Sequence, residues 1–205
     1  MKAAAAAKKV AAKAATVKAT VVIVKTENPV PTDPAAANQP LFFRFCDPHC
    51  EEEGMRHVNY LDYDPVSHRT RLMSAHPDSI GLKPMHVLEA WANAYGTGLE
   101  GSRQAFKSAR VGRQKLPVLI DPYRQIYFFP TQSPKHPSCI WINAAQIAEV
   151  KNDGLLTKIV FGDGNEVVLP MGPRSIRRQL HRIELMRQAI TRQVLADGLL
   201  IAHHP

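Results

Sequence analysis

The densest hydrophobic pattern of the chain lies in residues 121–142, where two apolar runs flank a proline-rich loop. The runs are residues 125–129 and residues 139–142, and three prolines stand between them. Aromatic and β-branched residues bounded by prolines are typical of buried strands. The pattern predicts two buried strands joined by an ordered loop.

Shorter apolar runs predict the remaining strands. Two runs flank Asp64-Pro65 and predict a hairpin, and two more flank Asp163-Gly164, a pair typical of tight turns between antiparallel strands. The predicted strands outside the central block are residues 41–45, 58–63, 70–74, 118–120, 147–150, 158–161 and 166–169.

Two segments repeat apolar residues at helical spacing. Met85, Leu88 and Trp91 follow Pro84, which is suited to a first helical turn, and they predict a helix over residues 84–94. A longer stripe predicts a helix over residues 175–196, which we expect Gly198 to end. The stripe consists of Ile176, Leu180, Ile183, Met186, Ile190 and Val194.

These elements predict an α+β fold with a single β-rich antiparallel core, a mid-chain helix and a C-terminal amphipathic helix. Residues 1–20 are nearly all Ala, Lys, Val and Thr and define no apolar face, and residues 28–40 contain four prolines. We therefore expect a disordered basic arm and linker over residues 1–40 and a globular domain over residues 41–200.

The net charge of +8 is unevenly distributed along the chain. Residues 1–40 carry +4, residues 41–100 carry −4 and residues 101–205 carry +8. No apolar run approaches the ~20 residues of a membrane span, and lysines interrupt the N-terminal alanine run, unlike a signal peptide. Three cysteines do not make a disulfide framework in a chain of this length. We expect a cytoplasmic protein that does not bind membranes.

Two clusters of basic residues are candidates for contact with a polyanion. Guanidinium and ammonium groups neutralise phosphates and release counterions, and arginines on a mobile arm can enter a narrow A·T-rich minor groove. The first cluster is Arg103, Lys107, Arg110, Arg113 and Lys115, and the second is Arg177, Arg178 and Arg182 on the C-terminal helix. We expect both clusters to converge on one exposed surface that binds double-stranded DNA.

Two other kinds of function remain as alternatives. Residues 96–101 fit the dinucleotide fingerprint G-x-G-x-x-G, but they follow a predicted helix instead of a strand, so a helix stop and a turn are favoured over a nucleotide-binding enzyme. Cys46, His49, Cys50 and His57 are suitable zinc ligands, but no second ligand pair follows them, so a zinc-containing interaction module is the weaker hypothesis. The prediction is no cofactor, no metal and no catalytic residue.

The central block also resembles a known family. The matching residues are Asp121-Pro122, Gln125-Ile126, Phe129-Pro130-Thr131, Ser133, Cys139 and Trp141-Ile142. Together they are similar to the pattern of the competence transcription factor family, the ComK-type DNA-binding activators of Gram-positive bacteria. The resemblance spans roughly residues 81–187, and the first 80 residues have no clear counterpart. Further matching positions are Lys83-Pro84, Gly96, Gly101, Lys115, Pro117, Phe161, Gly164, Leu169-Pro170, Ser175, Gln179 and Arg182.

The resemblance implies a regulator that activates DNA-uptake genes. It implies recognition of A·T-rich duplex sites through the minor groove and self-association on DNA as a homo-oligomer, and RNA polymerase is a candidate partner. Under this interpretation Arg103, Lys107, Arg110 and Arg113 contact the DNA backbone or minor groove. The three arginines of the C-terminal helix would then hold phosphates.

Overall fold

The computed structural model describes residues 55–201, with side chains as far as residue 195. The predicted arm and linker of residues 1–40 and the predicted strand of residues 41–45 lie outside this part of the chain. Its nine strands are β1 Tyr60–Asp64, β2 Arg69–Met73, β3 Asp78–Ile80, β4 Val118–Asp121, β5 Ile126–Pro130, β6 Trp141–Asn143, β7 Ile147–Asp153, β8 Leu156–Phe161 and β9 Glu166–Leu169. Its helices are α1 Pro84–Ala94, α2 Leu99–Ser108 and α3 Pro173–Ile201.

The strands form two antiparallel sheets. Six of them have the order β3-β2-β1-β6-β5-β4, and the other three have the order β7-β8-β9. The β1–β6 pair, with Leu61 opposite Trp141, joins the first hairpin to the central block across about 80 residues of sequence. The predicted α+β fold with an antiparallel core is therefore confirmed.

Strands β5 and β6 are neighbouring internal strands of the six-stranded sheet. Every residue of both strands is buried, and Phe129 pairs with Ile142 in their antiparallel register. Side chains of a strand alternate between faces, so Phe128 points to one hydrophobic cluster while Tyr127 and Phe129 point to another. The prediction of two buried strands joined by a loop is confirmed.

Helix α1 covers one face of this sheet. Leu88 and Trp91 are buried as the helical spacing predicted, whereas Met85 is only partly buried and Val87 is buried in addition. The ring of Trp91 packs against Phe128 with centroids 5.8 Å apart. Pro84 is the first helical residue, where its missing N–H breaks no helical hydrogen bond.

The opposite face packs against the three-stranded sheet and α3. Tyr60 of the large sheet stacks on Phe161 of the small sheet with ring centroids 5.7 Å apart. The β8–β9 turn has the expected Asp163-Gly164 chemistry, because Gly164 has φ 84° and the Asp163 carboxylate accepts a hydrogen bond from the Asn165 N–H at 3.0 Å.

Helix α3 is longer than its sequence pattern indicated. It continues through Gly198 to Ile201, so the prediction that Gly198 ends it is wrong. An internal glycine costs a helix only about 1 kcal/mol, which neighbouring helical residues can offset. Neither this helix nor another in residues 55–201 is long and apolar enough to cross a membrane.

Candidate nucleic-acid interface

Helix α2 carries the first two residues of the basic cluster, in a segment where the sequence pattern predicted no helix. Leu99, Ser102 and Phe106 are buried at helical spacing. The Ser102 hydroxyl accepts a hydrogen bond from the Leu119 N–H at 2.7 Å, and the Phe106 ring meets Tyr127 edge-on. These contacts fix α2 along strand β4.

Arg103 and Lys107 stand one turn apart on α2 and both approach Glu100. The nitrogen–oxygen distances are 3.8 Å and 3.9 Å, and the Glu100 side chain is 76% exposed, so the two ion pairs are weak. Arg103 also directs Nη2 to the Met85 sulfur at 3.7 Å, which turns its guanidinium towards α1.

The loop that follows α2 is compact. Arg110 and Lys115 have φ of 54° and 49°, a backbone region that is costly for residues other than glycine. The Arg110 N–H donates to the Lys107 carbonyl at 3.0 Å and the Val111 N–H donates to the Phe106 carbonyl at 3.1 Å. The chain therefore turns back on the end of α2, with Arg110, Arg113 and Lys115 exposed.

This turn creates a cleft of about 500 Å³, which we call the basic cleft. It is lined by Lys107, Arg110, Gly112 and Arg113. Three of the four lining residues are cations and none is an acid. A concave site with one sign of charge concentrates its potential, and an anion of opposite charge is attracted to it.

Helix α3 holds the loop of the basic cleft in place. A Cβ atom added to Gly112 would lie 3.0 Å from Arg182 Cζ, so the loop backbone packs directly on this guanidinium. Arg182 Nη1 donates to the Gln114 carbonyl at 3.0 Å, and Gln179 Nε2 donates to the Lys115 carbonyl at 2.9 Å. The two basic segments are thus in direct contact.

The arginines of α3 are not all part of this contact. Arg178 lies one turn before Arg182, and burial, with a smaller contribution from the Arg178 charge, lowers the pKa of Arg182. Arg177 is exposed but lies about 140° around the helix from Arg182, given 3.6 residues per turn. Arg177 therefore projects from a different side of α3 than Arg182, which contacts the loop of the basic cleft.

Two residues that build this site were not recognised from sequence. Gln179 is only 6% exposed and donates to carbonyls of both Lys115 and Pro130, yet the sequence offered it only as a position of family resemblance. Gly112 leaves room for the close approach of Arg182, but a glycine in a basic run indicates only a loop. No local pattern identifies a long-range contact of this kind.

The glycine-rich turn of residues 96–101 connects two helices. Gly96 follows α1 with φ 71°, Gly98 precedes α2, and Gly101 lies inside α2. Thr97 Oγ1 fills the turn by hydrogen bonding to the Ala92 and Ile120 carbonyls. A dinucleotide fingerprint requires a strand before the turn, so the basis of the nucleotide-enzyme alternative is removed.

The zinc alternative rests on residues that are mostly outside the described part of the chain. Cys46, His49 and Cys50 lie outside it, and His57 is in a short 3-10 turn, Met55–His57. Among the described side chains, no three His, Cys, Asp or Glu residues are grouped so that they could hold a metal. Cys139 is buried, as predicted, and burial raises the pKa of its thiol, which disfavours the nucleophilic thiolate.

The part of the chain that contains this surface is similar to known proteins. A family model described as ComK protein matches residues 73–194, more than half of the chain. The competence transcription factor of Bacillus subtilis (strain 168) is 27% identical over 109 residues, which are 53% of this chain and 57% of the relative. The chain thus spans little more than half the length of this relative. No solved structure matches this chain.

Proposed function

Because the chain belongs to the ComK protein family, we propose that it is a transcription regulator that binds double-stranded DNA through the basic cleft. The observation that carries this proposal is the joining of the cleft loop to α3 by Arg182 and Gln179. The name of the related competence transcription factor supports the proposal that this protein regulates competence genes. Under this proposal the protein acts as an activator in the cytoplasm and without catalysis or a cofactor.

The cleft residues have different roles in the proposal. Lys107 contacts phosphates, Arg110 and Arg113 contact phosphates or the minor groove, and Lys115 and Arg178 extend the phosphate contact along the edge of the loop. Arg182 mainly positions the loop, because its guanidinium already packs on Gly112 and donates to Gln114. Arg103 and Arg177 add attraction at the borders. Phosphate contacts of this kind fix the position of a protein on the duplex but do not read its sequence.

Preference for A·T-rich sites would come from the exposed arginines of the loop. A·T-rich duplex has a narrow minor groove with an enhanced negative potential, which attracts inserted arginine side chains. Arg110 and Arg113 are both exposed and close to each other in the basic cleft. Self-association on paired sites and contact with RNA polymerase are further parts of the proposal, which the family resemblance supports.

The proposal is tested by measuring DNA affinity across a salt series. Replacing Arg110 and Arg113 by Ala is expected to lower the slope of log affinity against log salt by about 2, because each lost phosphate contact contributes about 0.9. A matched variant with Lys151→Ala and Arg192→Ala removes two exposed charges elsewhere and should leave the slope nearly unchanged. Equal slopes for the two double variants would contradict DNA binding through the cleft.

Sequence preference is tested separately. Wild-type protein should bind an A·T-rich duplex more tightly than a G·C-rich duplex of equal length at the same salt concentration, and the Arg110 and Arg113 variant should lose most of this difference. Equal and weak binding to both duplexes would leave only a basic protein without the proposed regulatory specificity.

A further inference from the structure

A second cleft lies on the α1 face of the six-stranded sheet, on the opposite side from α3. It has a volume of about 240 Å³ and lies between the start of α1 and the proline-rich loop of residues 131–139. Its floor is formed by the buried side chains of Cys139 and Trp141, and neither residue contributes to the basic cleft. We call this the aromatic cleft.

The lining of the aromatic cleft changes from apolar at the floor to basic at the rim. Half-buried apolar or aromatic residues form its walls, namely Tyr63, Pro84, Met85 and Pro134. Exposed residues with basic side chains form much of its rim, namely Lys83, His86, Lys135 and His136. No Asp or Glu lines the cleft, so the positive rim is not neutralised from within it.

The loop wall is ordered by its own hydrogen bonds. The His136 N–H donates to the Ser133 carbonyl at 2.8 Å, and the Cys139 N–H donates to the His136 carbonyl at 3.0 Å. His136 Nδ1 accepts from the Ser138 N–H at 3.2 Å, which places the proton of the neutral imidazole on Nε2. A preformed cleft loses less conformational entropy when a ligand binds.

We propose that the aromatic cleft binds a small aromatic carboxylate. The apolar ring would pack against Trp141, Met85 and Pro134, and the carboxylate would lie at the rim between Lys83 and Lys135. Such a division, with a mostly apolar interior and a few charged groups that orient the ligand, is the usual chemistry of small-molecule sites. The volume suits a ligand of one or two fused rings, because clefts for drug-sized ligands begin at about 300 Å³.

A DNA phosphate is the competing occupant of this rim. It would use the lysines but leave the apolar floor formed by Trp141 and Cys139 without a partner. The ring and the negative charge are therefore tested independently with three probes: indole-3-carboxylate has both, indole has only the ring, and acetate has only the charge.

The experiment follows the side-chain N–H signals of the two tryptophans by NMR during titration with each probe. Indole-3-carboxylate should shift the Trp141 signal saturably, while Trp91, which belongs to α1 and packs against Phe128, serves as an internal reference. We expect neutral indole to bind about tenfold more weakly and acetate to give no saturable shift. Equal affinity for indole and its carboxylate would overturn the anionic ligand class. Saturation by acetate would show that the rim binds a small anion without the ring, and it would overturn the aromatic ligand class.

Matched variants locate the site. Replacing both Lys83 and Lys135 by Gln should weaken indole-3-carboxylate binding about tenfold, because each exposed charge contributes about threefold. Lys151→Gln removes the same kind of charge from β7 and should leave binding unchanged. Unchanged affinity in the double lysine variant, or a titration that shifts Trp91 and not Trp141, would overturn the proposal. These outcomes do not depend on DNA binding, so this test can fail independently of the proposed function.

Discussion

Individual buried polar side chains connect neighbouring elements of this protein by hydrogen bonds. Asn143, at the end of β6, is fully buried and donates through Nδ2 to the carbonyls of Arg56 and Val58. Its Oδ1 accepts from the Ala145 N–H at 3.1 Å and caps the short turn that leads to β7. One amide therefore satisfies three backbone groups from two parts of the chain.

Replacing Asn143 by Ala should destabilise the protein by about 2–4 kcal/mol, because buried backbone groups lose their hydrogen-bond partners. The free energy of unfolding from chemical denaturation measures this loss. Asn152→Ala, at an exposed position of β7, is the control and should change stability by less than about 0.5 kcal/mol. A similar small change in both variants would contradict the role of Asn143.

Tyr60 gives the protein a pH dependence at high pH. Burial, together with the nearby Asp62 charge, raises the pKa of Tyr60 from 10.0 to about 12. Between these two values the unfolded chain releases the phenol proton while the folded chain retains it, so the free energy of unfolding falls as pH rises. Below pH 10 both states are protonated and the effect is absent.

We expect wild-type protein to lose about 2–3 kcal/mol more stability than the Tyr60→Phe variant between pH 10 and pH 12. Denaturant titrations at several pH values measure the difference between the two proteins. Tyr123→Phe, in an exposed turn, should retain the wild-type dependence on pH. A Tyr60→Phe variant with the same pH dependence as wild type would show that another group causes the loss.

At the scale of elements, α3 divides into a buried half and an exposed half. Ile176, Ile183 and Met186 are buried in the cluster beneath the helix, whereas Val194 is 63% exposed although it continues the same apolar stripe. Helical periodicity shows which face is apolar, but it does not show where the sheet beneath that face ends.

Replacing residues of the apolar stripe by Ala should therefore lower the stability of the protein by unequal amounts. Ile183→Ala is expected to cost about 2–4 kcal/mol, because it leaves a cavity in a packed core. Val194→Ala should cost less than about 0.5 kcal/mol, because most of the side chain is already in solvent. Thermal or chemical unfolding measures both, and equal losses would mean that the stripe is covered along its whole length.

At the scale of the molecule, the two faces of the six-stranded sheet carry different chemistry. The α3 face adjoins the basic cleft, and the α1 face adjoins the aromatic cleft. Positive charge alone does not define the basic cleft, because contacts with Arg182 and Gln179 fix the position of the cleft loop.

Two substitutions on α3 separate position from charge. Arg182→Gln and Arg177→Gln each remove one positive charge from the same helix, but only Arg182 contacts the cleft loop. We expect DNA affinity to fall about tenfold for Arg182→Gln, since loop order and a charge are both lost, and about twofold for Arg177→Gln. Equal losses in a binding titration at one salt concentration would indicate that total charge decides affinity.

The segment that sequence analysis missed was α2. It buries only Leu99, Ser102 and Phe106, one of which is polar, and Gly98 and Gly101 indicate a turn instead of a helix. The sequence of α2 has few apolar positions, because the helix packs at the β4 edge of the sheet and leaves most of its surface in solvent. Strand β3 was missed for a related reason: three residues, Asp78–Ile80, carry too little alternation to be recognised.

The sequence by itself determined the kind and approximate bounds of most elements, including β5, β6, the β8–β9 turn, α1 and α3. Periodicity, proline and turn residues act over a few neighbouring positions, so local composition is sufficient to predict them. Only the tertiary structure decided that β1 pairs with β6, that the strands divide into two sheets and that Arg182 and Gln179 of α3 hold the loop of the basic cleft. These contacts depend on how well distant surfaces fit and satisfy each other's hydrogen bonds, and many partners share the same local pattern.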